Sequence, residues 1–185
     1  MNNNLIITIG REYGTGGREI GQKLALRLGI PFYDRELITR AAKKTGFDEK
    51  LFEQLDKRAT NSFLYSLTMF GSVGLNGMSL TDQLYLAQSN VIREMAEGSS
   101  CVIVGRCADH VLRDFSNRFD FFIHGSIEDR VKRIQSCGDY EIEGKTPQAA
   151  LEKMDKQRST YYNYYTGKVW GKCDHYDLCI NPGRL

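Results

Sequence analysis

Four glycines within positions 10–17, accompanied by Arg11 and Arg18, form the first stretch of the chain that could do chemistry. Closely spaced glycines let several backbone N–H groups point at one site, and N–H groups at the start of a helix attract anions. Each glycine costs conformational entropy on folding, so this many in one loop favour a backbone shaped for a ligand over a plain turn. A phosphate group is the ligand that this chemistry predicts.

The loop departs from the usual phosphate loop, which reads Gly, four residues, Gly, Lys, and Ser or Thr. Gly16 matches the second glycine, but Arg11, Gly17 and Arg18 occupy the positions of the first glycine, the lysine and the hydroxyl residue. A dinucleotide-binding fingerprint fits poorly because position 19 is Glu, although Asp34 stands where an acidic ribose ligand could be. The loop therefore predicts phosphate binding without the usual lysine.

Arg18 is the residue that we predict to replace this lysine, because the start of the following helix places it within a turn of the bound anion. Arg11, on the other side of the loop, is the alternative. An exposed ion pair of Arg18 with Glu19, Glu12 or Asp34 is the arrangement without function. The predicted ATP and phosphate ligands are Arg11, Gly14, Thr15, Gly16, Gly17 and Arg18.

Apolar runs and helical periodicities alternate along the chain and predict the elements that position these residues. Strands are expected at about 5–9, 30–34, 101–104, 121–123 and 177–180. Helices are expected at about 18–28, 35–45, 48–58 and 81–97, then after Ser126 and after Thr146, which precedes Pro147. Residues 59–80 keep no period and carry three glycines, which is typical of a lid edge or a partner surface. The alternation predicts an α/β fold of three layers, a parallel sheet with helices on both faces.

Arginines follow three of the predicted strands, in the pairs Gly10-Arg11, Asp34-Arg35 and Gly105-Arg106. Ligands of parallel sheets bind outside the carboxyl ends of the strands. We therefore expect a cationic site at this edge of the sheet. Arginine suits phosphoryl transfer because its planar fork holds two oxygens at once.

Composition excludes several classes of protein. The chain has 185 residues, a hydrophobic content of 41% and a net charge of +2, which predict one domain and argue against a nucleic-acid coat. No apolar run has membrane-spanning length, and five cysteines without a CxxC pattern indicate reduced thiols. We expect a soluble cytoplasmic protein. Cys173, His175 and Cys179 have the spacing of zinc ligands but lack a fourth, so Cys179 is expected to be a buried strand thiol.

Five segments follow one another in the order and at the spacing of a known family. They are ITIGREYGTGG, FYDRELITRAA, VIVGRCAD, DRVKRI and DKQRSTYY. With these segments the sequence resembles the cytidylate kinase family, and most closely its cytidylate kinase-like branch. The resemblance covers nearly the whole chain apart from 59–80.

The resemblance implies a P-loop NTPase-type sheet of about five strands and an ATP-dependent nucleoside monophosphate kinase, with CMP or dCMP as acceptor. It implies Mg²⁺ with ATP, an acceptor-binding insertion at about 36–97 and a lid at about 134–160. Asp34, Arg40 and Arg106 would bind the acceptor. Arg158 and Asp155 would act in catalysis together with Arg18. ATP and the monophosphate are the expected partners. Neither nucleic acid nor a membrane is expected to bind, and formation of a homo-oligomer is left as a possibility.

Three departures from the family keep other functions open. The loop lacks the Lys and the hydroxyl residue, Cys107 replaces the Asp of Gly-Arg-Asp, and Leu151 stands where the lid has an Arg. A kinase for another small molecule and a catalytically weak nucleotide-binding regulator are the alternatives. Which group holds Mg²⁺ is not predicted.

Several polar and aromatic residues also have an explanation that involves no chemistry. Asp155 and Arg158 also fit an ordinary helix pair three residues apart. Arg130 and Arg133 are expected to be solvated helix charges. Four tyrosines are expected to pack rather than to stack on a base: Tyr161, Tyr162, Tyr164 and Tyr165.

Overall fold

A five-stranded parallel sheet occupies the centre of the computed structural model, which describes residues 4–34, 79–137 and 146–184 together with Leu37, Arg40 and Lys44. The strands are β1 (Ile6–Arg11), β2 (Phe32–Tyr33), β3 (Cys101–Val104), β4 (Arg118–Ile123) and β5 (Leu178–Ile180). Their spatial order is β2-β3-β1-β4-β5, and every neighbouring pair is parallel. The predicted parallel sheet is confirmed.

Five helices connect these strands in the part of the chain that is described. They are α1 (Gly17–Leu28), α2 (Leu80–Gly98), α3 (Ala108–Val111), α4 (Ile127–Ser136) and α5 (Pro147–Thr166). Short 3₁₀ turns flank β5 at Cys173–His175 and Pro182–Arg184. Apart from Leu37, Arg40 and Lys44, the predicted helices at 35–45 and 48–58 lie outside the described residues, as does nearly all of the stretch 59–80.

The helix ends follow from local sequence. The hydroxyl of Ser126 accepts the N–H of Asp129 at 3.1 Å, and the hydroxyl of Thr146 accepts the N–H of Ala149 at 3.2 Å. Such caps satisfy N–H groups that the first helical turn leaves without a partner. Gly29 ends α1 in the left-handed conformation, with a φ of 65°. All three ends agree with the sequence prediction.

Alternate side chains of the central strands enter two separate apolar layers. Ile6 and Ile103 pack with α2 and α3 on one face of the sheet, whereas Ile7, Ile9 and Val102 pack with α1 on the other. A strand buried on both faces has no polar side, which explains why Cys101–Val104 reads as a continuous apolar run. The three-layer arrangement is therefore the consequence of burying both faces.

Two details differ from the sequence prediction. β4 begins at Arg118 rather than at 121, because β1 pairs with it along its whole length, from Ile6 opposite Arg118 to Arg11 opposite Ile123. Cys179 is only half-buried, since β5 is the last strand of the sheet. Among the helices of the described ranges, none is long and apolar enough to cross a membrane.

Candidate functional site

The glycine loop joins the carboxyl end of β1 to the first turn of α1. Gly14 and Gly16 have positive φ angles of 79° and 77°, a conformation that is open to glycine and strained for other residues. Gly16 is the N-cap of α1, and as a glycine it has no side chain that could accept an N–H of the first turn. The first N–H groups of α1 are therefore left for a ligand, as an anion-binding loop requires.

The loop rests directly on α4 and α5. A Cβ atom added to Gly14 would lie 2.9 Å from the Ile134 side chain and 3.0 Å from the Leu151 side chain. Tyr13, Ile134 and Leu151 form one buried apolar cluster. Leu151, which replaces a lid arginine of the family, thus packs beneath the loop.

Three arginines reach one cavity of about 230 Å³ at the carboxyl ends of β1 and β3. Arg11 comes from the end of β1 and Arg106 from the turn after β3, while Arg158 comes from α5. Arg158 donates a hydrogen bond to the backbone carbonyl of Arg11 at 3.0 Å, and its guanidinium lies 5.2 Å from the ring centre of Tyr13. Two of the three strand-end arginines that the sequence predicts, Arg11 and Arg106, therefore line one cavity, and Arg158 joins them from a helix. The third, Arg35, lies outside the described residues.

The environment of the cavity lowers the pKa of two of these arginines, Arg11 and Arg158. Burial lowers the pKa of Arg11, and the neighbouring Arg106 and Arg18 lower it further, although Asp34 opposes the shift. Burial and then the neighbouring Arg11 lower the pKa of Arg158. Charged forms that repel one another are stabilised by an anion placed between them. The cavity is therefore suited to a phosphate or another polyanion.

The turn that carries Arg106 is strained. Arg106 and Cys107 have positive φ angles of 60° and 55°, and Gly105 before them has 77°. A side chain in this left-handed region costs on the order of 1–2 kcal/mol per residue. Strain of this kind persists where the surrounding structure imposes it and is concentrated at functional sites. A Cβ on Gly105 would lie only 2.1 Å from Arg11 Nη1, so the glycine gives this guanidinium its place.

Comparison of Arg106→Gly with Arg106→Ala is expected to expose this strain. Both variants lose the guanidinium, but only glycine adopts a φ of 60° without cost. We expect the glycine variant to be more stable by about 1 kcal/mol in urea unfolding. Equal stability, or a more stable alanine variant, would show that the turn is not strained.

A buried carboxylate lines the same cavity as the three arginines. This residue, Asp109, accepts a hydrogen bond from the Tyr162 hydroxyl at 2.6 Å. Burial, followed by the charge of Asp109, raises the pKa of Tyr162, so this hydroxyl stays protonated. Trp170 and Tyr176 also line the cavity. Sequence reasoning gave none of these residues a role apart from packing of Tyr162, although Asp109 stands in the segment VIVGRCAD.

The four tyrosines of α5 act mainly in packing. Tyr161 and Tyr162 are buried, and the ring of Tyr165 stacks on Tyr85 with 3.9 Å between ring centres. Tyr164 is about half exposed and contacts Tyr165 edge to face. Tyr161 and Tyr162 also line the arginine cavity, so packing is only part of their placement.

A second cavity of about 160 Å³ is also lined by residues of the glycine loop. Gly14 and Thr15 form one wall, and the segment after β5, Asn181 to Gly183, forms another. Arg133 lines it from α4 and lies against the loop, because a Cβ on Gly16 would be 2.6 Å from its guanidinium carbon. Different residues of the glycine loop therefore line the two cavities, Gly10 and Arg11 the first and Gly14 and Thr15 the second.

Arg130 is not the solvated helix charge that the sequence predicts, whereas the Arg133 side chain is 35% exposed. Arg130 is only 6% exposed, donates to the backbone carbonyl of Tyr13 at 2.8 Å, and pairs with Glu12 at 3.2 Å and with Asp155. Arg133 pairs with Glu19 beside the loop. In the sequence, the spacing of three residues places Arg130 and Arg133 on one face of the helix that Ser126 caps. The spacing does not show which part of the protein that face contacts.

Four other predicted site residues make contacts with neighbouring residues of the protein: Arg18, Asp34, Asp155 and Thr15. The Arg18 side chain is 56% exposed and donates a hydrogen bond to Asp34 at 2.7 Å. This exposed ion pair is the alternative to phosphate binding that the sequence left open for Arg18. Asp34 also lies 3.9 Å from Arg11. Asp155 accepts the N–H of Tyr13 at 2.7 Å rather than lining the arginine cavity. Thr15 is buried, and its hydroxyl donates to the carbonyl of Glu12 at 2.9 Å.

Arg40 is not brought to the other two predicted acceptor ligands. It is exposed, its guanidinium lies 5.7 Å from the ring centre of Tyr33, and it lines a different cavity with Lys44 and Glu94. Arg106 alone of the predicted acceptor ligands lines the cavity with Arg11 and Arg158.

The described residues offer a metal ion no dedicated set of ligands. No group of three or more His, Cys, Asp or Glu side chains that could hold a metal is found within the described ranges. Mg²⁺ is usually held by one or two carboxylates together with substrate phosphates. The expectation of Mg²⁺ therefore depends on the chemistry of ATP.

Comparison with known proteins gives a family match over almost the whole chain. The family model described as the cytidylate kinase-like family matches residues 6–184. The crystal structure of an uncharacterized protein from Eubacterium ventriosum is 33% identical, with 96% of this chain and 88% of that chain covered and a TM-score of 0.67. No curated protein sequence matches significantly.

Two more distant structures share the fold. A shikimate kinase from Bacteroides thetaiotaomicron is 13% identical, with 96% and 86% of the two chains covered and a TM-score of 0.54. A gluconokinase from Sinorhizobium meliloti is 13% identical, with 98% and 84% covered and a TM-score of 0.53. The chain thus shares its fold with these two kinases.

Proposed function

Because this chain belongs to the cytidylate kinase-like family, we propose that it transfers the γ-phosphoryl group of ATP to a nucleoside monophosphate, with CMP or dCMP as acceptor. The observation that carries the proposal is the convergence of Arg11, Arg106 and Arg158 on one cavity beside an uncapped helix start. Family and fold together support a phosphotransferase. The choice of a pyrimidine monophosphate comes from the family resemblance.

The reaction needs positive charge and alignment rather than a general base. An oxygen of the acceptor phosphate, already anionic at neutral pH, forms a bond to the γ-phosphorus. The bond from this phosphorus to the bridging oxygen breaks at the same time, and ADP leaves. The three arginines of the cavity neutralise the acceptor phosphate and the migrating group, while the backbone N–H groups of the loop and of α1 hold the donor phosphates.

A kinase for a smaller acceptor is the second candidate. The arginine cavity, at about 230 Å³, is smaller than the usual range for ligand pockets, roughly 300–1,000 Å³. The names of the two distant structures, shikimate kinase and gluconokinase, refer to small acceptors. A compact acid or polyol could occupy the space between the arginines and Asp109.

An ADP-release assay across a panel of acceptors tests both candidates. We expect turnover with CMP and dCMP in the presence of Mg²⁺ and ATP, and a lower rate for Arg106→Ala. Turnover with shikimate or gluconate but with no monophosphate would favour the second candidate. Failure of every acceptor, combined with an ATP-dependent rise in melting temperature, would indicate a nucleotide-binding regulator instead.

The cation that replaces the lysine of the phosphate loop is open to a direct test. We predict Arg18 from sequence, but Arg133 lies over Gly16 while Arg18 pairs with Asp34. On this geometry Arg133→Ala is expected to raise the KM for ATP roughly tenfold, because one charge-assisted contact contributes on the order of 1.5–3 kcal/mol. Arg18→Ala is expected to change it less than threefold, as for an exposed ion pair.

Steady-state kinetics of the two variants at saturating acceptor decide between the two arginines. A large effect of Arg18→Ala beside near-normal Arg133→Ala kinetics would restore the sequence assignment. Arg93→Ala, which removes an exposed pair with Asp114, is the matched control.

A further inference from the structure

One residue of the glycine loop, Tyr13, has both of its backbone polar groups bound by side chains from other helices. Its N–H donates to Asp155 Oδ1 at 2.7 Å, and its carbonyl accepts from Arg130 Nε at 2.8 Å. The two partners also pair with each other. Asp155 and Arg130 therefore hold the same loop residue from α5 and from α4.

The network continues on the other side of Arg130. Its guanidinium lies 3.2 Å from Glu12, and Glu12 accepts the N–H of Gly125 at 2.9 Å. Arg130 is 6% exposed, and a buried charge of this kind is tolerated only while its partners stay in place. The loop residues 12 and 13 are thereby tied to α4, to α5 and to the segment after β4.

Apolar contacts fix the same point. The Tyr13 ring is 9% exposed, packs with Ile134 and Leu151, and lies beneath the guanidinium of Arg158. Gly14 follows at once with its positive φ and with no room for a side chain. The direction in which the next N–H groups of the loop point therefore depends on where Tyr13 is held.

We propose that Arg130 and Asp155 are positioning residues that set the phosphate-binding shape of the glycine loop through the backbone of Tyr13. The proposal rests on the proposed function only in taking the loop as the site of the donor phosphates. It gives Asp155 a role other than contact with substrate, and it gives a role to Arg130 and Glu12. The loop is shaped by contact with α4 and α5 before any nucleotide binds.

Asp155→Asn tests this role, because the amide keeps the size of the side chain and removes the charge that Arg130 needs. Arg130→Lys is the second variant. Lysine keeps the charge but lacks the planar guanidinium, so it cannot bind the Tyr13 carbonyl, Glu12 and Asp155 at the same time. Asp114→Asn, in an exposed ion pair, is the control. Binding of Mg-ATP and of inorganic tripolyphosphate is measured by calorimetry, and backbone exchange by hydrogen–deuterium exchange of the ligand-free protein.

We expect Kd for both probes to rise at least tenfold in both network variants and to stay within twofold in the control. We also expect faster exchange of loop amides 13–17 with unchanged exchange in β3, a difference that a uniform loss of stability would not produce. Normal Kd values, or exchange that rises equally in the loop and in β3, would overturn the proposal. Hydrogen exchange of the ligand-free protein does not depend on turnover. The exchange experiment therefore tests the role of Arg130 and Asp155 even if the protein has no kinase activity.

Discussion

Replacement of Arg158 by Ala is expected to lower kcat about a thousandfold, the largest effect of any single change in the site. Arg158 is held between the Arg11 carbonyl and the Tyr13 ring and lines the arginine cavity, and burial and Arg11 lower its pKa. Its charge is therefore best stabilised when the migrating phosphoryl group is present. An arginine that stabilises this group contributes roughly 10³- to 10⁵-fold in other phosphoryl-transfer enzymes.

Controls separate this effect from a loss of folding. Arg158→Lys should recover part of the rate, because it restores the charge without the forked contact. Arg113→Ala removes an arginine whose side chain is 57% exposed and should leave kcat unchanged. Circular dichroism confirms that each variant is folded. A kcat for Arg158→Ala within tenfold of the original would mean that Arg158 does not contact the reacting group.

Replacement of Gly14 by Ala is expected to lower kcat/KM for ATP about a hundredfold and to destabilise the protein by on the order of 3 kcal/mol. Alanine would have to adopt a φ of 79°, and its Cβ would overlap Ile134, Leu151 and the backbone carbonyl of Arg130. The left-handed φ alone costs about 1–2 kcal/mol, and overpacking adds about 1–3 kcal/mol. A loop displaced by about 1 Å misplaces the donor phosphates, for which a hundredfold loss is typical.

Gly29→Ala provides a matched control for this prediction. Gly29 has a similar φ of 65°, but a Cβ there would meet no atom within 4 Å. We expect a loss of about 1 kcal/mol in urea unfolding and normal kinetics, since only the backbone conformation is strained. If both variants lose the same stability and keep the same activity, the packing of Gly14 on α4 and α5 has no functional consequence.

The sequence by itself determined several of the elements and the family of the protein. Ser126 and Thr146 carry the side chains that cap the first turn of a helix, and Gly29 adopts the left-handed conformation that ends one. The continuous apolar run at 101–104 required a strand buried on both faces. Because parallel strands end at one edge, arginines placed after β1 and β3 had to meet, and the order of the segments identified the family.

Only the tertiary structure decided which helix side chains join that site. Arg130 bonds to the carbonyl of Tyr13 across 117 positions of sequence, and Asp155 bonds to its N–H across 142. The spacing within a helix predicts one face of that helix but not its rotation on the sheet, which packing of Ile134 and Leu151 against Tyr13 determines. The same packing buries Arg130, although the sequence around it predicts a solvated helix charge. A left-handed Arg106 is likewise set by the structure around it, since no residue type in this turn other than glycine prefers that conformation.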